Sequence, residues 1–95
     1  MKKFVIKISN KKDFINTFSS LSKQRLEILW MIKEKKPESI YELAQLLQKT
    51  QPYVQKEIKF LEKNGLIELK KSKINGRTRL KPTMEFQILA FEVEF

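Results

Sequence analysis

Between residues 39 and 64 the apolar positions recur every three or four residues, which is the spacing of one face of an α-helix. The pattern is interrupted once, near residues 49 and 50, and it predicts two helices over residues 40–48 and 51–64. Their inward faces would be formed by Ile40, Leu43, Ala44 and Leu47 in the first helix, and by Val54, Ile58 and Leu61 in the second. Two or three residues separate the helices, so a sharp turn must join them.

Residues at the helix boundaries support these limits. Ser39 and Glu42 have the spacing of a capping box, and Thr50 can cap the second helix. Asn64-Gly65 predicts its end, because glycine readily adopts the left-handed conformation of a helix C-terminus.

After Gly65 the pattern changes to strand-forming residues. Asn75-Gly76 is the dipeptide that best fits a type I′ hairpin turn, so we expect strands over residues 66–73 and 74–81. Pro82 lacks a backbone N–H, and we expect it to end the pairing.

The N-terminal third predicts a strand over Lys3–Ile8 and a helix that begins after Asn10. Phe14, Phe18 and Leu21 fall on one face of that helix, and aromatic residues at this spacing usually pack in the core of their own domain. A dimer contact is the alternative role for this stripe. A further helix, capped by Ser22, is expected over residues 23–35.

That further helix carries Leu26, Ile28, Leu29, Trp30 and Ile32, and we expect it to be the central core helix with Trp30 buried. At the other end of the chain, Phe91, Val93 and Phe95 alternate with glutamates, which predicts a terminal strand. We expect antiparallel pairing between residues 3–8 and 91–95, within one subunit or across two.

The segment ELAQLLQKTQPYVQKEIKFLEKNGLIEL, followed by a basic hairpin, resembles the winged helix-turn-helix of ArsR/MarR-type transcriptional regulators. The preceding LSKQRLEILWMIKEKKPESI resembles the first helix of that family, so the resemblance covers residues 20–81. Many relatives carry glycine where this chain has Gln48-Lys49. The resemblance implies an α+β, mostly helical winged helix-turn-helix with a β-hairpin wing and short terminal strands. One domain would span residues 1–95, with an N-terminal extension (1–21), a winged helix core (22–81) and a C-terminal strand (82–95).

Composition narrows the possible chemistry. The chain has 95 residues and no cysteine or histidine, so it lacks a disulfide framework, thiolate or imidazole metal ligands and the usual general base. Its carboxylates are scattered among lysines, and its two glycines form no phosphate-binding loop. We therefore expect no enzyme activity, no cofactor and no metal site. No apolar run reaches the ~20 residues of a membrane span, and we expect a cytoplasmic protein without membrane contact.

The charge distribution favours nucleic acid as the partner. The net charge is +9, and residues 66–81 carry six cations against the single carboxylate of Glu68. Residues 1–12 carry five lysines, whereas residues 82–95 contain three glutamates. A basic hairpin beside a polar helix is typical of nucleic-acid-binding proteins.

Candidate contact residues follow from these elements. In the second helix, glutamine can bond adenine bidentately, lysine can reach guanine, and tyrosine can donate to phosphate. In the hairpin, arginines suit phosphates or a narrow minor groove. The candidate DNA-binding residues are Thr50, Gln51, Tyr53, Gln55, Lys56, Lys59, Lys73, Asn75, Arg77 and Arg79.

The sequence thus predicts a small transcriptional regulator that binds double-stranded DNA, and the resemblance implies a repressor more often than an activator. We expect a homodimer whose two half-sites lie one helical turn, ~34 Å, apart. Two alternatives are open. The domain could be a protein-interaction winged helix, such as an antitoxin or an accessory subunit, or a nucleic-acid-binding protein without sequence preference.

Overall fold

A computed structural model describes all residues, 1–95, as an α+β arrangement of four helices and four strands. None of the helices has the length and apolarity required to cross a membrane. In chain order the elements are β1 (Lys3–Ile8), α1 (Lys11–Ser20), α2 (Lys23–Lys35), α3 (Ile40–Leu47), α4 (Gln51–Lys63), β2 (Glu68–Ile74), β3 (Arg77–Thr83) and β4 (Ile88–Val93).

The core lies between α2, α3 and α4 and is closed by the residues that precede β2 and β4. Each helix buries the face predicted by its period, because residues three and four apart lie on one side of a helix. The buried cluster comprises Ile28, Leu29, Ile32, Ile40, Leu43, Ala44, Val54, Ile58, Leu61, Leu66, Ile67 and Phe86. The predicted inward faces of α3 and α4 are confirmed, except that Leu47 is only partly buried.

The predicted N-caps are present. Ser22, Ser39 and Thr50 accept hydrogen bonds from the backbone N–H groups of Arg25, Glu42 and Tyr53, respectively. The capping box is half formed, because Glu42 makes no return bond to the N–H of Ser39.

Helices α3 and α4 end with the same hydrogen-bond pattern. At the end of α4, the N–H of Leu66 donates to Leu61 and that of Gly65 to Glu62, which is the Schellman pattern, with Gly65 at φ +78°. The end of α3 repeats the pattern, with Gln48 in the left-handed conformation at φ +56°. The turn between α3 and α4 therefore forms with a non-glycine residue in the left-handed conformation.

The hairpin forms around the predicted turn, since Asn75 and Gly76 both have positive φ, as a type I′ turn requires. Its strands start and end about two residues later than expected. The prediction that Pro82 ends the pairing is wrong, because Pro82 is buried opposite Leu69 in the ladder. In an antiparallel hairpin, residue pairs that exchange hydrogen bonds alternate with pairs that do not. The pair beside the turn, Ile74 and Arg77, is hydrogen-bonded. Counted from there, Leu69 and Pro82 form a non-hydrogen-bonded pair, which needs no N–H from proline.

The predicted terminal strands pair within one chain, but the expected antiparallel direction is wrong. β1 and β4 are parallel, with Lys3 opposite Ile88 and Ile8 opposite Val93. The direction follows from Phe86, which is buried in the core just before β4 and has its ring centroid 5.2 Å from that of Phe4. This contact places the start of β4 beside the start of β1.

The expected burial of Phe18 and of Trp30 in the core is wrong, whereas Leu21, from the same predicted face as Phe18, packs against the core. α1 contains no buried residue, and Phe18 is 45% exposed, although its ring contacts Phe91 at 5.1 Å between centroids. Trp30 is 72% exposed. The apolar residues of α2 extend around more than one face, and the core takes the face of Ile28, Leu29 and Ile32, which leaves Leu26 and Trp30 outside.

Candidate nucleic-acid interface

The first half of the candidate interface is the outer surface of α4. Burial of Val54, Ile58 and Leu61 fixes the rotation of this helix. Of the candidate residues on the helix, Gln51, Gln55, Lys56 and Lys59 are exposed, and Tyr53 is partly exposed. Thirteen residues give a helix about 20 Å long, which is enough to cross a B-DNA major groove about 12 Å wide.

The outward residues of α4 separate into two flanks. Gln51, Gln55 and Lys59 follow one another at i, i+4, i+8, so they form a stripe. Tyr53 lies on the opposite flank, one turn before Glu57, and Lys56 lies between the flanks. The structure therefore groups the two glutamines with Lys59 and turns Tyr53 away from them.

The N-terminus of α4 carries no negative side chain in its first turn. Thr50 is exposed, and its hydroxyl caps the helix by accepting from the Tyr53 N–H at 3.4 Å. The Nζ of Lys49 lies 6.0 Å from the centroid of the Tyr53 ring. A helix N-terminus with free N–H groups and a nearby cation favours an anion such as phosphate.

The second half of the candidate interface is the β2–β3 hairpin. Its register places Ile74 opposite Arg77 and Ser72 opposite Arg79, so both arginines project from the same face. Lys73 lies opposite Thr78 and projects from the other face. Asn75 forms the turn itself. The structure thus unites Arg77 and Arg79 and separates Lys73 from them.

Ion pairs distinguish the base of the hairpin from its tip. At the base, Lys70 contacts Glu85 at 2.5 Å and Lys81 contacts Glu38 at 3.3 Å. The hydrogen bond and the charge of Glu85 raise the pKa of Lys70, and the same contacts from Lys70 lower the pKa of Glu85. The cations toward the tip and on the outer surface of α4 form no ion pair and are exposed; they are Lys56, Lys59, Lys73, Arg77 and Arg79.

No three carboxylates lie close enough together to hold a metal ion. This surface offers amide, hydroxyl, ammonium and guanidinium groups, together with the exposed carboxylate of Glu62 three residues after Lys59.

Residues 20–90 match the model of the HVO_A0114 family. The chain belongs to the HVO_A0114 family. The matched range contains α2, α3, α4, the hairpin and the start of β4, whereas β1 and nearly all of α1 lie outside it. No curated protein and no solved structure is significantly similar to the chain.

Three further cations of this HVO_A0114-family chain have the same properties as the candidate residues but are absent from the sequence-based set. Lys63 continues the outer surface of α4 from Lys56 and Lys59, Lys49 precedes the helix, and Lys71 lies on the hairpin face of Lys73. All three are exposed and form no ion pair. Helical spacing alone could have identified Lys63, since it lies four residues after Lys59.

Proposed function

We propose that this protein is a winged helix-turn-helix regulator of transcription that binds double-stranded DNA with sequence preference. In this proposal α3 and α4 are the helix-turn-helix, α4 enters the major groove, and the β2–β3 hairpin is the wing. One observation carries the proposal: the cations of α4 and of the hairpin tip are exposed and unpaired, whereas Lys70 and Lys81 at the hairpin base form ion pairs with Glu85 and Glu38.

The order of elements supports the assignment of a winged helix. Three core helices are followed directly by an antiparallel hairpin, and only three residues, 48–50, join α3 to α4. The left-handed conformation of Gln48 gives a sharp turn at this point. A short turn of this kind between two core helices is typical of helix-turn-helix proteins.

The outer stripe of α4 supplies groups that can read bases. The amide of Gln55 can accept from N6 and donate to N7 of adenine, and the ammonium of Lys59 can donate to O6 and N7 of guanine. Both side chains are exposed, and each lies within the central turns of the helix. Contacts of this type discriminate between base pairs, so this stripe would carry sequence preference.

The hairpin supplies groups that bind without reading bases. Arg77 and Arg79 are two residues apart on one face, which spaces their Cα atoms by roughly 7 Å, close to the distance between adjacent phosphates of a strand. Phosphate contacts release counterions, so they would strengthen binding to all sequences and make it dependent on salt.

The direct test is fluorescence anisotropy of the purified protein with two labelled duplexes, each titrated across a salt series. One duplex is the DNA upstream of the protein's own gene, and the other is a scrambled duplex of equal length and base composition. We expect the upstream duplex to bind at least about a hundredfold tighter, a threshold set below the typical specificity ratios of about 10³ or more.

Equal affinities that weaken together with salt would contradict sequence preference and indicate binding by counterion release alone. Absence of salt-sensitive binding to either duplex would contradict binding of double-stranded DNA.

A further inference from the structure

A continuous apolar surface lies on elements that take no part in the proposed DNA contact. It consists of Phe18 from α1, Leu26 and Trp30 from α2, and Leu89 and Phe91 from β4, and we call it the aromatic surface. We propose that the aromatic surface is the interface through which two copies of this chain form a homodimer. The proposal does not depend on DNA binding.

Contacts between neighbouring members show that the surface is continuous. The ring of Phe18 packs on that of Phe91, and Leu89 lies two residues before Phe91, hence on the same face of the β1–β4 sheet. Leu89 also lines a groove of about 300 Å³ together with Leu26 and Trp30. Leu26 and Trp30 are one helical turn apart, so β4 connects the exposed side of α1 to that of α2.

Three of the five members are far more exposed than large apolar side chains usually are, whereas Leu89 and Phe91 are partly buried. Trp30 is 72% exposed, Leu26 47% and Phe18 45%. A few isolated apolar residues on a surface are normal, but a contiguous patch that includes an exposed tryptophan is typical of a protein–protein contact.

The chain exposes more surface than a compact monomer of its mass. The chain exposes 7005 Å², whereas a compact monomer of this mass exposes roughly 5,800 Å². The radius of gyration is 14.5 Å, compared with about 12 Å for a compact domain of this length. The projecting hairpin contributes to the excess of about 1,200 Å². A standard interface buries about 800 Å² on each partner, which this excess can supply.

The state of α1 indicates that the covering partner is a permanent one. This helix has ten residues and none of them is fully buried, although Phe14 and Phe18 contact Phe95 and Phe91. Helices of that length are marginal unless tertiary contacts stabilise an apolar face. A second copy is present wherever the chain is made. Twofold pairing is also the commonest arrangement of soluble oligomers.

Charge does not oppose a second copy. The five members of the aromatic surface are uncharged, although the chain has a net charge of +9. The nearest cation in the groove is Lys33, whose Nζ lies 3.5 Å from the carbonyl oxygen of Phe86. The basic residues of α4 and the hairpin lie on other elements, so two copies can meet here without opposing those cations.

The test is sedimentation equilibrium of the full chain without DNA, combined with fluorescence of Trp30. Trp30 is the only tryptophan, so its emission and its quenching by iodide report directly on this surface. We expect a dimer whose Trp30 is shielded from iodide and becomes accessible on dilution.

Leu26→Ser should raise the dissociation constant of the dimer at least about tenfold, because it removes an apolar contact that is buried in the dimer. The matched control is Leu80→Ser, which changes a leucine of similar exposure on the hairpin and should leave dimerisation unchanged.

Phe18→Ser provides a second variant that retains the Trp30 reporter, and circular dichroism checks that each variant is folded. A wild-type chain that is monomeric at about 100 µM, with Trp30 open to iodide, would overturn the proposal. A dimer that responds equally to Leu26→Ser and Leu80→Ser would also overturn it. A dimer that binds no DNA would leave this inference standing and contradict only the proposed function.

Discussion

The guanidinium of Arg25 donates through Nε to Oε2 of Glu57 at 2.6 Å, and this ion pair joins the start of α2 to the middle of α4. The same guanidinium donates through Nη1 to the carbonyl oxygen of Ser20 at 2.8 Å and lies 3.6 Å from the centroid of the Phe60 ring. Arg25 therefore fixes the position of the end of α1 relative to α4, the helix proposed to enter the major groove. No other side chain in the protein connects these three helices through polar contacts.

We predict that Arg25→Ala lowers the free energy of unfolding by about 1–3 kcal/mol, since it leaves the partly buried Glu57 carboxylate without its partner. Urea denaturation would measure the effect as a lower midpoint at unchanged slope. The control is Lys81→Ala, which breaks the more exposed pair with Glu38 and should cost less than about 1 kcal/mol. Equal costs for the two substitutions would show that the Arg25 contacts stabilise the fold no more than the exposed Lys81–Glu38 pair does.

The turn between α3 and α4 offers a stabilising substitution. Gln48 is exposed and has φ +56°, a conformation that glycine adopts without the clash of a Cβ atom. We predict that Gln48→Gly raises the free energy of unfolding by about 0.5–1 kcal/mol. Gln45→Gly, the same change three residues earlier within α3, should instead lower it by about 1 kcal/mol. Thermal denaturation of both variants gives the comparison, and a loss of stability in Gln48→Gly would contradict the prediction.

Local features of the fold were predictable because their causes lie within a few residues of one another. The caps at Ser22, Ser39 and Thr50, the helix end at Gly65 and the turn at Asn75-Gly76 each depend on one short segment. The exposed stripe of α4 followed in the same way, because burial of every third or fourth residue fixes which side chains remain outside.

Features that depend on distant segments were not predictable. The direction of β4 is set by the contact of Phe86 with Phe4, which are 82 residues apart in the sequence. The alternation of charged and apolar residues in β1 and β4 does not determine whether the strands are parallel or antiparallel, because a lysine can lie opposite a glutamate in either direction. In the parallel register, Lys7 lies opposite Glu92. Trp30 could not be assigned from its apolarity, because the helix has more apolar residues than one face can bury. The neutralisation of Lys70 and Lys81 likewise depends on glutamates from other segments.

The Lys70–Glu85 pair predicts a pH dependence. The pKa of Glu85 is lower in the folded protein than its ordinary value of about 4, because Lys70 donates a hydrogen bond to it and attracts its charge. The pair therefore stabilises the fold above the ordinary pKa of glutamate, and the contribution is lost as the pH falls through the lowered pKa. The pKa of Lys70 is raised, so the contribution is also lost in strong alkali, as the pH rises through that value.

We predict that an NMR titration of the Glu85 carboxyl carbon gives a midpoint below the ordinary glutamate range. Lys70→Ala should return this midpoint to that range, because it removes both the hydrogen bond and the charge. Lys71→Ala removes a neighbouring cation that forms no ion pair, and it should move the midpoint much less. A midpoint unchanged in Lys70→Ala would show that the pair does not form in solution.

We propose that α4 reads bases and that the hairpin binds phosphates, so substitutions in these two elements should change DNA binding in different ways. Arg77→Ala and Arg79→Ala should each weaken binding to every duplex about fivefold near 0.15 M salt and reduce the slope of log K against log salt by about 0.9, because each removes one phosphate contact. Lys70→Ala removes a cation already paired with Glu85 and should change the slope less.

Gln55→Ala should leave the slope unchanged and lower the preference for the upstream duplex over the scrambled one, because it removes a base contact worth about 1–3 kcal/mol. Anisotropy titrations of all four variants on both duplexes separate these effects. Unchanged slopes in both arginine variants would exclude Arg77 and Arg79 from phosphate contact, whereas unchanged preference in Gln55→Ala would exclude Gln55 from base reading.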